Sequence, residues 1–555
     1  MQRWLLGQIG AFLEMTILRR IYHVPELFQV LATFGLILII QDITLHTWGP
    51  EDLLGPQAPG LAGSVSVLGE PFPTYDILLV MMALGVWGGL WLFLHKTRFG
   101  VLVRAATQDR GMVAALGINQ KWLFTGVFFL GSVLAGFGGA IQLPRESVSL
   151  SMDMNIIIEG IIVVVIGGMG SIKGAALASV IIGLVQAFGI LVFPQITLVI
   201  VFLIMAVVLI FRPFGLFGRE EQVGVEKSLL TGVVLRPATG RLRLFYLAFL
   251  ALLLAMPLFT GGYGLVLVID MLIFALFAAS LHFIMGPGGI GSFGHALYFG
   301  LGAYAVALLV KFVDVSMLWA LLAAPGLAVL GALASGWVCV RSSGIYLAML
   351  TFAFAQIVWA VSFQWYSVTG GDNGILGVWP AAFLTDKTAF YYFVLSLCAA
   401  GVLILRHSVF TPFGYGLRAV RDSTLRANAI GIEPRRWQWM GLTYSAIFAG
   451  LAGGLFAYAK GSVFPTTLDV MTTLDALVIT LLGGVNTLFG PVAGSGIYIW
   501  LESEISRHTE LWRAILGLII VAIVMFFPEG IIGYLQNIKP KAERLALATL
   551  RKVKP

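Results

Sequence analysis

The chain has 555 residues, of which 59% are apolar and 11% are charged, and its mean hydropathy is +0.95. A soluble globular protein carries about 25% charged residues, so this composition excludes a soluble enzyme, and its richness in Phe, Leu, Ile and Val excludes intrinsic disorder. The net charge of +7 does not indicate nucleic-acid binding, because the basic residues lie in loops between apolar runs rather than in a separate basic domain.

The apolar residues form long continuous runs, as in 196–211 and 390–405. Such runs are typical of transmembrane helices, because the strands of a membrane barrel alternate apolar and polar residues. We therefore predict an all-α polytopic membrane protein with about 16 to 17 spans. In chain order, about three spans precede residue 96 and about four follow residue 436. The spans predicted between them are 122–142, 156–168, 174–192, 196–211, 243–259, 264–286, 294–313, 318–340, 345–365 and 390–405.

The distribution of charge predicts which loops lie on which side of the membrane. Lys and Arg cluster in 19–20, 96–121, 212–243, 406–436 and the tail 539–554, whereas 42–76 holds five acidic residues and no Lys or Arg. Because basic residues resist translocation, these basic segments are expected in the cytoplasm together with the C-terminus. The acidic segment is expected outside.

The chain repeats itself with a spacing of 314 residues. The segment 97–118 (TRFGVLVRAATQDRGMVAALGI) matches 411–432 (TPFGYGLRAVRDSTLRANAIGI) without a gap, and Gly139 then matches Gly453. With two residues added in the second copy, the repeat continues at a spacing of 316, which matches Glu159 with Asp475 and Gly167 with Gly483. Because both repeat loops are basic, the two halves are expected to have the same orientation in the membrane. The predicted organisation is a first half (1–218), a linker (219–241), a second half (242–538) and a basic tail (539–555).

Three groups of residues are candidates for a substrate pathway. Glycines interrupt apolar segments at matching places in the two halves, which is typical of a pathway or, equally, of close helix packing. An acid precedes each glycine pair by eight residues, and an acid near a span either contacts substrate or lies at the membrane interface. A serine and a histidine lie in a glycine-rich stretch of the second half. These candidates are Glu159, Gly167, Gly168, Gly170, Ser292, His295, Asp475, Gly483 and Gly484.

The residues do not predict an enzyme. Cys339 and Cys398 stand alone in apolar runs, and the seven histidines form no metal-binding spacing. The stretch 168–174 (GMGSIKG) lacks the spacing of a phosphate-binding loop. We therefore expect no catalytic residues, no metal site, no cofactor and no ATP hydrolysis on this chain.

The two repeat loops each contain a predicted helix, 101–116 and 415–430, that ends at a glycine. A hydrophobic chain has little reason to duplicate a polar loop unless something binds it, so these helices are candidates for docking a soluble partner. The alternative is that their basic residues only anchor the topology.

Taken together, five motifs resemble the permeases of branched-chain amino acid ABC importers, with a LivH-type half followed by a LivM-type half. They are TRFGVLVRA (97–105), GGMGSIKGA (167–175), GSFGHALYFGLGAY (291–304), TPFGYGLRAVRD (411–422) and LLGGVNTLFGPVAG (481–494). The resemblance covers nearly the whole chain.

The resemblance implies a translocation pathway in a bacterial inner membrane, surrounded by lipid, with a periplasmic solute-binding protein outside and two ABC ATPase subunits in the cytoplasm. The ATPases would bind the repeat loops at Arg104, Ala115, Gly117, Arg418, Arg421, Ala429 and Gly431. Leucine, isoleucine and valine are the implied substrates, and urea or short amides are the alternative.

The first half departs from the family pattern. LivH-type permeases begin with several spans that include a segment like NFAHGE, and the first half has no such segment. About three spans precede its basic loop, against about six in the second half. We therefore expect the first half to be incomplete at its N-terminal end.

Two other classes of protein compete with a permease of an ABC importer. An ion-coupled secondary transporter with parallel repeats would need intramembrane ion sites but no docking loops. A membrane enzyme would need a nucleophile, a base or metal ligands in one place, which the sequence does not suggest.

Overall fold

The computed structural model describes residues 2–22, 24, 26–56, 60–67, 69–194, 196–218, 240–527 and 530–533. Nearly all regular structure in these residues is helical, which confirms the predicted all-α fold. The predicted tail 539–555 and the linker 219–241, apart from its last two residues, lie outside the described residues.

The first half contains long helices and, in its repeat loop, one pair of short helices. A π-helical turn, Glu14–Leu18, joins the first two helices. The helices are α1 (Gln2–Leu13), α2 (Arg19–Ile21), α3 (Glu26–Trp48), α4 (Thr74–Lys96), α5 (Arg98–Gln108), α6 (Arg110–Ala115), α7 (Gln120–Gln142), α8 (Met152–Gly167), α9 (Ile172–Val192) and α10 (Thr197–Phe211).

The second half continues the numbering. Its helices are α11 (Gly240–Phe259), α12 (Gly262–Met285), α13 (Ala296–Val313), α14 (Met317–Cys339), α15 (Gly344–Gln364), α16 (Tyr366–Thr369), α17 (Lys387–Ser408), α18 (Pro412–Asp422), α19 (Thr424–Ala429), α20 (Pro434–Lys460), α21 (Val470–Gly483), α22 (Gly490–His508) and α23 (Trp512–Phe526). Two small antiparallel strand pairs lie between helices, Ser64–Val67 with Glu70–Pro73 and Ile375–Leu376 with Ser462–Val463.

The helices coincide with the predicted spans. Each span predicted within 122–211 and 243–405 corresponds to one helix. Within the described residues, eleven helices are long and apolar enough to cross a membrane, and three shorter apolar helices accompany them. Side-chain caps start several of these helices; Ser171 accepts from the Gly174 amide before α9, and Asp386 accepts from Ala389 before α17. The chain is therefore a polytopic membrane protein.

The prediction of one continuous helix in each repeat loop is wrong. The first is broken at Asp109 into α5 and α6, and the second at Ser423 into α18 and α19. Both residues are extended, and their side-chain oxygens accept from the amides of Met112 and Arg426. Asp and Ser favour this capping geometry over a helix interior, so each begins a new helix.

The two halves meet through a pair of equivalent contacts. A shift of about 314 residues places α3 on α15 and α10 on α23. In the structure α3 packs along α23, while α10 packs along α15. Gly35 meets Gly517 backbone to backbone at the first crossing, and Phe202 meets the ring of Phe352 edge-on at the second. At each of the two contacts, one half therefore provides the helix equivalent to α3 and the other half provides the helix equivalent to α10.

The helices α12 and α13 form the centre of the second half. The helix α12 packs against α17, α20, α21 and α22, while α13 packs against α14 and α20. Ser495 donates to the Met271 carbonyl at 2.6 Å, and Thr480 donates to the Ala278 carbonyl at 3.3 Å. In the part of the first half that the structure describes, no helix pair corresponds to α12 and α13.

Candidate translocation pathway and repeat loops

The glycine pairs Gly167-Gly168 and Gly483-Gly484 lie at the turns of two equivalent helical hairpins, α8–α9 and α21–α22. Gly167 lies against Gly174, and Gly483 lies against Gly490, so closely that a Cβ on any of them would overlap backbone atoms. This contact requires glycine in both halves, because only a residue without a side chain allows two backbones to approach so closely.

The second glycine of each pair is the residue that follows the end of its helix. Gly168 has φ +94° and Gly484 has φ +112°, both unfavourable for a residue with a side chain. Gly168 packs on Gly215, and Gly484 packs on Gly530, so the segment after the last helix of each half lies across the hairpin turn. The structure therefore gives these glycines a close-packing role, and a role in a pathway stays a prediction. Gly170 has φ +77° and open space around it.

The two predicted acids lie at equivalent places in α8 and α21 but in different surroundings. Glu159 is exposed and accepts a hydrogen bond of 3.4 Å from Gln186. Asp475 is half-buried and accepts one of 2.8 Å from the Tyr498 hydroxyl. Their contact with substrate stays a prediction.

Ser292 and His295 lie in the loop between α12 and α13, and both are buried. His295 Nε2 lies 2.8 Å from Ser280 Oγ, and its ring stacks on Phe277. His295 Nδ1 and Ser292 Oγ have no hydrogen-bond partner in the structure. Because buried polar atoms are rarely left unpaired, this loop has unused capacity for hydrogen bonds.

The repeat loops end in the same geometry. After α6, the Gly117 amide donates to Ala114 and the Ile118 amide donates to Val113. After α19, Gly431 and Ile432 repeat both bonds, donating to Asn428 and Ala427. Gly117 and Gly431 have φ +79° and +84°, so both helices end in a Schellman motif, as the glycines predicted.

The predicted loop residues differ in exposure. Arg104, Ala115, Gly117, Ala429 and Gly431 are exposed. Arg418 is half-buried; its guanidinium donates to the Val409 carbonyl and lies 4.2 Å from the centre of the Tyr415 ring.

Apolar side chains project from the tips of both loops. Leu116 is 71% exposed in the first half, while Leu425 and Ile430 are 84% and 73% exposed in the second. Exposed apolar side chains on an otherwise polar loop are typical of a surface that binds another protein.

A family model described as a branched-chain amino acid transport system permease component matches the chain twice, over residues 5–209 and 264–524. The chain belongs to this family. The two matches confirm the predicted pair of homologous halves, and the boundaries of the halves and linker stay a prediction.

Curated relatives of the permease are known for both kinds of half. The high-affinity branched-chain amino acid transport permease LivM of Escherichia coli K12 is 26% identical over 323 residues, which are 53% of this chain and 76% of LivM. BraD of Pseudomonas aeruginosa is 30% identical over 218 residues, 38% of this chain and 71% of BraD. LivH of Salmonella typhimurium is 24% identical over 239 residues, 39% of this chain and 76% of LivH. No solved structure shows a significant match.

The permease also has a polar cluster that the sequence reasoning missed. Asp270 in α12 forms an ion pair of 2.8 Å with Lys460 at the end of α20, and Glu502 in α22 interacts electrostatically with both Asp270 and Asp475. The cluster brings four ionisable side chains from four helices together. A single acid inside the apolar run of α12 was the signal that could have found it.

The predicted pathway residues of the permease do not form one site. Asp475 belongs to the polar cluster, Ser292 and His295 lie in the loop before α13, and the glycine pairs pack inside their own hairpins.

A cavity of about 700 Å³ lies at the seam between the halves, where α3 meets the turn between α22 and α23. It is lined by polar side chains that include Asp42, His46, Arg507, His508 and Glu510.

Proposed function

We propose that the permease forms the translocation pathway of an ABC importer for leucine, isoleucine and valine in a bacterial cytoplasmic membrane. Two separate ATPase subunits bind its repeat loops from the cytoplasm, where the C-terminus also lies. A periplasmic solute-binding protein delivers the amino acid from the other side. The first half extends over 1–218 and the second over 242–538, joined by a cytoplasmic linker (219–241).

The observation that carries this proposal is the duplicated geometry of the repeat loops. Each presents a short helix, capped at both ends in the same way, with exposed apolar side chains at its tip. Two copies of one docking surface suit two copies of one kind of partner, as an importer with two ATPases requires. A secondary transporter has no use for such a surface.

The substrate class is supported by the relatives, whose names assign them to high-affinity branched-chain amino acid transport. In this permease, Asp475 and Glu159 are the acids that we propose to interact with the amino group of the substrate as it passes between the halves. The glycine hairpins, with Ser292 and His295, form the walls of the pathway.

The test is transport by the permease reconstituted in lipid vesicles with its ATPases and its binding protein. We expect ATP-driven uptake of labelled leucine, and we expect Gly117→Trp together with Gly431→Trp to reduce uptake by about tenfold, because a bulky residue at positive φ distorts the helix end. ATP hydrolysis should continue in the double variant.

A matched control is Gly60→Trp, which changes another glycine of positive φ with open space around it, in the segment between α3 and α4. This control should leave uptake unchanged. Uptake that needs an ion gradient but no ATPase would contradict the proposed function, and undiminished uptake in the double variant would contradict the docking role of the loops.

A further inference from the structure

The loop between α12 and α13, residues 286–295, is held in a compact form that we call the glycine loop. Its backbone folds back on the end of α12, since the amides of Gly288 and Ile290 donate to Phe283 and Ile284. Gly289 adopts φ +66°, which favours glycine. The loop is thus a defined structural element rather than a loose connection.

One side chain of the second repeat loop reaches the glycine loop. The side chain of Arg421, near the end of α18, is only 5% exposed, and its Nη1 donates to the Gly286 carbonyl at 3.0 Å. Its Nε and Nη2 bind the Asp422 carboxylate at 2.8 and 2.7 Å, which orients the guanidinium. The aliphatic part of Arg421 covers Gly289 so closely that any Cβ there would overlap it. The contact therefore combines a charged hydrogen bond with tight packing.

The glycine loop in turn contacts helices at the seam between the halves. Ile290 is buried in a cluster that contains Val165 and Ile166 from the first half and Tyr346 from α15. The backbone after the loop is also fixed, because the Ala296 amide donates to Thr473 Oγ1 at 2.9 Å. A displacement of the glycine loop would therefore reach both halves.

A second bond ties the same place to the hairpin of the second half. His282, in the last turn of α12, has its Nε2 2.6 Å from the Val485 carbonyl, just after the glycine pair of the α21–α22 turn. Gly286 lies against His282 as well. Arg421 thus contacts a junction of α12, the glycine loop and the hairpin turn.

The first half carries no such link in its described residues. The residue equivalent to Arg421 is Thr107, whose hydroxyl donates to the Arg104 carbonyl of its own helix. The tips of the two repeat loops therefore have the same geometry, but the loops differ in how they contact the membrane helices.

We propose that Arg421 is a positioning residue that transmits the movement of α18 and α19 to the glycine loop, and through it to the seam between the halves. This inference rests on the proposed function, since it assumes that the repeat loops bind ATPases. The second repeat loop then drives the pathway directly, whereas the first has no equivalent contact among the residues that the structure describes.

The test compares Arg421→Gln with Arg421→Lys and with Arg435→Gln in vesicles that contain the ATPases and the binding protein. Arg421 was expected to contact the ATPases, but its buried side chain binds the glycine loop rather than the exposed tip of the repeat loop. We therefore expect R421Q to bind the ATPases and to hydrolyse ATP, while the amount of leucine transported per ATP falls about tenfold, the effect of losing one charged hydrogen bond. R421K keeps the charge but not the forked geometry, so its loss should be smaller. Arg435 is an exposed cation in the first turn of α20, and R435Q should behave like the wild type.

Gly289→Ala tests the same contact from the other side, because its Cβ would displace the arginine. It should uncouple transport from hydrolysis as R421Q does, and it keeps the test decisive where R421Q fails to assemble. Wild-type coupling in both R421Q and G289A would overturn the role of Arg421. A wild-type permease without ATP-driven uptake would instead overturn the proposed function.

Discussion

The two halves of the permease share a repeat but bury it to very different extents. In α20, 67% of the membrane-spanning window is buried within the structure, whereas in the equivalent α7 the buried share is 6%. The helices α17 and α4 differ in the same direction, at 39% and 0%. The difference arises because α12 and α13 cover this face of the second half, and no described residues cover it in the first.

Individual repeat positions show the same contrast. Gly453 lies against the Phe299 carbonyl of α13, while its equivalent Gly139 has open space around it. Exposed apolar residues cost little in a membrane, because lipid chains surround them as well as protein does. The comparison teaches that a residue can match across a repeat although, among the described residues, only one of the two copies has a packing partner for it.

The largest expected difference in stability between equivalent variants of the two halves is at Gly453 and Gly139. Gly453→Leu should lower the free energy of unfolding by about 3 kcal/mol, because the new side chain overlaps the backbone of α13. Gly139→Leu is the matched control and should have little effect. The measurement is the thermal unfolding of each purified variant in detergent. Equal losses would show that the face of α7 is covered in the native protein.

A second pair of variants should affect both halves alike. Gly167→Ala and Gly483→Ala each place a methyl group against backbone atoms of the same hairpin, so we expect each to cost about 2 kcal/mol. Gly160→Ala, at a glycine of α8 with open space around it and no positive φ, is the matched control and should cost little. The same unfolding assay applies, and a large difference between the first two variants would break the proposed equivalence of the hairpins.

The smallest expected difference is at a pair of serines. Ser495→Ala removes the hydrogen bond to the Met271 carbonyl and should cost about 1 kcal/mol. Its equivalent Ser179 is exposed, and its one hydrogen bond among the described residues is to the Ala176 carbonyl of its own helix, so Ser179→Ala should be nearly neutral. Unfolding midpoints that fall by the same amount in both variants would contradict the packing difference.

Much of the fold was predictable, because a transmembrane helix depends on a local property, its continuous apolar run. The bounds of α7, α9 and α10 lie within a few residues of the predicted spans for this reason. The breaks at Asp109 and Ser423 were missed because a capping residue looks like any polar residue until its side chain turns back to the chain.

The candidate site was harder to predict from the sequence. The matching glycines marked the hairpin turns correctly, but a pattern in the chain cannot distinguish close packing from a pathway wall. The ion pair of Asp270 with Lys460 joins residues 190 positions apart, and the Arg421 contact joins residues 135 positions apart. Such pairs depend on how the helices assemble, which no local pattern records.

The exchanged contacts of α3 with α23 and of α10 with α15 are those expected of a two-fold symmetric dimer, in which each subunit offers the same surface to the other. Here both subunits belong to one polypeptide, so they are always made in a ratio of one to one. A free homodimer must carry any new side chain twice. The fused pair is released from this constraint, and an arginine can serve one copy while a threonine stands in the other.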